Sequence, residues 1–126
     1  MPRNELFGWT WILAGMLTGM VLGLFFHRED WLGGYASHPR RLLRLGHVSF
    51  IGLGVLNVLF ALTGQRLHVS PPALGLASWA LVTGGVTMPA CCALLAWKRT
   101  LQPAFTVPVA SLLLGVAVVV TGLLRR

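Results

Sequence analysis

Apolar residues run along this chain in four long blocks, Leu6–Phe26, Leu45–Gly64, Ala73–Trp97 and Phe105–Leu124, with the polar residues gathered between and beyond them. Each block is about 20 residues or longer, the length of helix that crosses a hydrocarbon layer of about 30 Å. No Asp, Glu, Lys or Arg interrupts any of them. The pattern predicts an all-α integral membrane protein. Residues 1–126 form a single domain, with spans at 6–26, 40–64, 73–97 and 104–124. The first block is longer than the apolar core of a cleaved signal and is not closed by a small-x-small pattern, so it reads as a retained span. Short connections then require four antiparallel transmembrane helices in an up-down-up-down bundle.

The connections carry the turn chemistry. Gly33-Gly34 marks a turn, and Ser37 or His38 followed by Pro39 marks the start of the second helix. The stretch from Gln65 to Pro72 forms the second connection, and Lys98 to Pro103 the third, a tight hairpin. Arg40, Arg41 and Arg44 crowd the start of the second helix, where the macrodipole is already positive. Their charge requires lipid phosphates, Glu29 and Asp30, or a bound anionic group as partners, and anionic lipid headgroups contacted by snorkelling arginines are the expected ones.

Composition narrows the classes. The chain is 56% hydrophobic and 10% charged, with mean hydropathy +0.76, so its net charge of +7 speaks of a membrane surface and not of nucleic acid. The two cysteines are neighbours, Cys91 and Cys92, and give no disulfide framework. Arg28, Arg40, Arg41, Arg44, Lys98 and Arg99 stand on one side, against Arg3, Arg66, Arg125 and Arg126 on the other. A bacterial inner membrane is the expected location, and this balance favours termini outside the cytoplasm.

Within the spans, Gly15, Gly19 and Gly23 form a row that lets two helices approach closely. The second helix offers Gly46, Phe50, Gly54 and Asn57 as the matching face. Asn57 is the one strongly polar side chain deep in a span and calls for an interhelical hydrogen bond. Gly75, Gly84, Gly85 and Gly115 offer further small faces for neighbouring helices.

Two cofactor chemistries are open to the remaining polar groups. His27 and His47 are candidate axial ligands of one b-type haem, with Arg40, Arg41 or Arg44 for its propionates. Met16, Met20, Cys91 and Cys92 are candidate soft ligands for copper(I). His38 and His68 fall in connections and are expected to be solvated. The spans lack the acid of a proton-coupled exporter and the Cys-x-x-Cys pair of a thiol oxidase, and no nucleophile with its base is in evidence.

The reading is therefore a non-catalytic scaffold or accessory subunit, partnered by other membrane subunits or by itself. An electron-transfer protein holding one haem or copper is the alternative. An oligomeric transporter or channel stands third.

Overall fold

The computed structural model describes residues 2–125 and contains only helices, turns and loops. Arg126, counted above among the basic residues, lies outside the described residues. Helix α1 is Pro2–Phe26, α2 is His38–Thr63, α3 is Pro71–Trp97 and α4 is Thr106–Leu124. With the flanking tight turns, all four are long and apolar enough to cross a membrane.

Local chemistry sets the boundaries. Ser37 caps α2, its hydroxyl accepting from the Arg40 amide at 3.4 Å, and Pro39 sits in the first turn. The loop before it needs left-handed backbone at Leu32 (φ 53°), Gly33 (φ 89°) and Gly34 (φ 97°), which glycine adopts freely and leucine does not. The third connection is longer than a tight hairpin. Residues Arg99–Phe105 wind into a 3₁₀ helix before α4 begins.

Helix α3 is the centre of the molecule. Eleven of its 27 residues are buried, against three of 25 in α1 and three of 19 in α4. On one flank α2 packs beside it, with α1 outside α2. On the other flank is α4. The apolar core joins Phe60, Leu67, Ala77 and Leu81 to Leu112 and Val119. Gly84 and Gly115 make room there for Leu112 and Leu81. Gly85 is covered by Phe7 from α1, so of the four small positions expected to receive outside helices only Gly75 faces open space.

The α1–α2 seam is tightest where the row of small residues was not expected. A Cβ on Gly8 would lie 2.6 Å from the Gly54 carbonyl, and one on Gly54 would lie 2.7 Å from the Gly8 carbonyl. Further along, Gly15 lies against Ile51 and Phe50, and Gly19 against the His47 ring. Gly23 has no neighbour within 4 Å, and Gly46 is turned to Cys92 on α3. Helical geometry accounts for both departures. At 100° per residue Gly8, Gly15 and Gly19 fall within about 40°, whereas Gly23 has drifted a further 40° or so. Gly46 and Gly54 are likewise about 80° apart, enough to face different neighbours.

Candidate functional site

Polar groups inside an apolar molecule must find partners, and they do so in two clusters at opposite ends of the α1–α2 seam. The first joins the start of α1 to the later turns of α2 and the early turns of α3. Asn4 and Asn57 are fully buried. The Asn4 amide donates to Asn57 Oδ1 at 2.8 Å and to the Ser78 carbonyl at 3.2 Å. The Ser78 hydroxyl donates back to Asn4 Oδ1 and accepts from Arg3, whose guanidinium also lies 4.0 Å from the Trp79 ring centre. Asn57 Nδ2 donates to the carbonyls of Leu53 at 2.9 Å and Leu81 at 3.4 Å. The circuit is closed, so it acts as a clasp of three helices.

About two turns beyond Leu81, Pro89 interrupts α3. Its ring nitrogen carries no hydrogen, which removes the helical donor of the Gly85 carbonyl. The Trp11 indole replaces it at 2.8 Å. A defect in one helix thereby becomes a bond to another. Threonine hydroxyls along the helices find their own partners locally. Thr10, Thr18, Thr63 and Thr87 each donate to the carbonyl four residues earlier.

The second cluster surrounds the end of α1 and the start of α2. Arg40, only 2% exposed, donates to the carbonyls of Phe26 at 3.0 Å, Arg28 at 3.1 Å, Glu29 at 3.3 Å and Trp31 at 3.4 Å. Its guanidinium lies 4.6 Å from the Phe26 ring centre. Its partners here are backbone carbonyls. The cation that burdens the positive end of α2 sits at the negative end of α1, where it caps the Phe26 carbonyl, ties down the turn that follows and offsets the dipole. His38, expected to be solvated, is half-buried, and its Nε2 lies 2.8 Å from the Leu95 carbonyl near the end of α3. The first turn of α2 thus closes the ends of both neighbours.

This end is less completely satisfied. Arg40 Nε and His47 Nδ1 are buried without a partner. Arg44 donates to the Tyr35 carbonyl at 2.8 Å and lies 4.0 Å from that ring's centre. Beside it a crevice of about 310 Å³ opens between Gly19, Leu22, Gly23 and Phe26 on α1 and Arg44, His47 and Val48 on α2.

The expected ligand sets are placed as follows. His27 is exposed in the turn after α1, while His47 is half-buried against Gly19. Arg41 is exposed and Arg44 half-buried, and Arg40 has its terminal nitrogens engaged by the four carbonyls. Met16 and Met20 are exposed on α1, whereas Cys91 and Cys92 are buried in α3. Cys91 Sγ lies 3.5 Å from the Ala104 carbonyl, and Cys92 packs on Gly46. Among the described residues, no three or more His, Cys, Asp and Glu side chains gather as a metal site. Sequence reasoning missed Asn4, Ser78, Trp11 and Gly8. Two of them carried a signal: Gly8 stands seven before Gly15, and Pro89 orphans the Gly85 carbonyl that Trp11 satisfies.

The chain matches no protein-family description, no curated protein and no solved structure.

Proposed function

We propose that this chain is an integral membrane protein with four spans in an up-down-up-down order, serving as a non-catalytic scaffold or accessory subunit of a membrane complex. The spans have the length and apolarity for this role. Contacts along the α1–α2 seam run in opposite senses, Gly8 meeting Gly54, Gly15 meeting Ile51 and Gly19 meeting His47. Threonine hydroxyls that bond back to their own helix suit surfaces with no water to satisfy them. The arginine-rich connections favour a cytoplasmic place for the ends near Arg28, Arg41 and Lys98, with the termini opposite.

One observation carries the scaffold reading. Gly52 on α2 and Gly75 on α3 have nothing within 4 Å of the position a side chain would take, although every other glycine of these two helices is covered by a neighbour. Small residues bare on a lipid-facing surface are the places where a further helix approaches closely. The polar groups of the clasp, meanwhile, are consumed by the fold and are not arranged for chemistry. The test is native mass spectrometry of the protein extracted from its own membrane in mild detergent. The reading expects a co-purifying subunit or a second copy, lost in Gly52→Leu or Gly75→Leu variants that still fold. A monomer alone in the wild type contradicts it.

A further inference from the structure

We infer that the crevice at the end of α1 is a binding site for one acidic phospholipid, with its phosphate on Arg44 and an ester carbonyl on His47. This inference rests on membrane insertion as proposed above. It does not require a partner subunit.

His47 supplies the first half of the argument. Its Nδ1 is sealed from solvent and has no partner, while the Cε1–Nε2 edge of the ring faces Gly19, which lines the crevice. In a neutral imidazole one nitrogen bears the hydrogen. A buried N–H without an acceptor is the costlier orphan, so the hydrogen belongs on Nε2, where the crevice can provide an acceptor. Arg44 adds only donors. One of its five N–H groups is used by Tyr35 and the rest of the fork remains. A head rich in acceptors and negative charge fits two such neighbours, and a cationic or donor-rich head does not.

Depth supplies the second half. Arg44 and His47 lie three residues apart on one helix, so His47 sits about 4.5 Å further into the bundle. A phospholipid carries its acceptors in the same order, phosphate at the surface and ester carbonyls one layer below. Beside them the walls are apolar, Leu22 and Gly23 at about the depth of Arg44 and Val48 next to His47. Gly23 has no neighbour within 4 Å, which keeps that wall flat.

Gly23 also makes the test clean, because a side chain there meets open space and leaves the fold alone. The full chain is reconstituted in phosphatidylcholine vesicles containing a minor fraction of photoactivatable phosphatidylglycerol, and labelled peptides are mapped. Vesicle flotation reports insertion independently, so failure to insert is distinguished from failure of the site. The site predicts labelling of the peptide around Gly19 and Gly23 or around Arg44 and His47. That labelling falls about tenfold in Gly23→Leu and in Arg44→Gln. Gly52→Leu leaves it unchanged. Equal labelling of these peptides by photoactivatable phosphatidylcholine overturns the proposal and marks ordinary annular lipid. So does labelling that survives Gly23→Leu, and so does displacement of the lipid by an added isoprenoid quinone at equal concentration.

Discussion

Where α1 begins, Asn4, Asn57 and Ser78 saturate one another across three helices. Where α1 ends, His47 keeps a buried nitrogen unpaired and Gly23 faces empty space. The same seam joins both regions, and glycine lines both. The difference lies in angular drift. Gly8, Gly15 and Gly19 stay on the facing side, but by Gly23 the row has turned away and a crevice opens. Close approach lets polar side chains reach across, whereas divergence leaves them available. A feature of a few tens of degrees therefore separates a structural clasp from a candidate binding site.

The sharpest way to break this contrast is to add the same side chain at each end. Gly54→Leu drives a branched group into the Gly8 carbonyl and Ile12, and should cost about 3 kcal/mol in a detergent unfolding titration. Gly23→Leu should stay within about 0.5 kcal/mol of the wild type. Next in size is Arg40→Ala, which strips donors from four carbonyls at once. A loss of about 2–3 kcal/mol is expected. Arg40→Lys should restore only part of it, since one ammonium cannot span the set. Full rescue by lysine would show that charge at the α1 terminus matters and the fork does not.

Smaller effects test the clasp. Asn57→Leu should cost about 1–2 kcal/mol, the usual worth of an interhelical amide bond in lipid. Trp11→Phe should cost about 1 kcal/mol by leaving the Gly85 carbonyl bare. In a Pro89→Ala background that carbonyl regains a backbone donor, so the cost of Trp11→Phe should shrink. A double-mutant cycle reads the coupling directly, and additivity would sever the link between Pro89 and Trp11.

Much of this was legible in the sequence because it depends on local pattern. Four uncharged apolar blocks gave the four helices, Ser37 with Pro39 the start of α2, and Gly33-Gly34 the turn. The need of Asn57 for a partner was equally plain, since an amide among leucines has few alternatives. Its partner was not, because Asn4 stands before the first apolar block and reads as a terminal residue. Arg40 escaped for a different reason. Its acceptors are backbone carbonyls, which every residue carries and no letter marks. The glycine row was read at spacing four where the seam uses seven and then four. That error moved the expected contact from Gly8 to Gly23.

The most direct test of the contrast is thermal unfolding of Gly54→Leu, Gly23→Leu and wild type, stripped of native lipid in detergent, with and without added phosphatidylglycerol. Gly54→Leu should unfold well below the other two. Gly23→Leu should match the wild type without lipid and fail to gain the stability that lipid gives it. If Gly23→Leu is as unstable as Gly54→Leu, or gains the full stabilisation from lipid, the two ends of the seam do not differ as described.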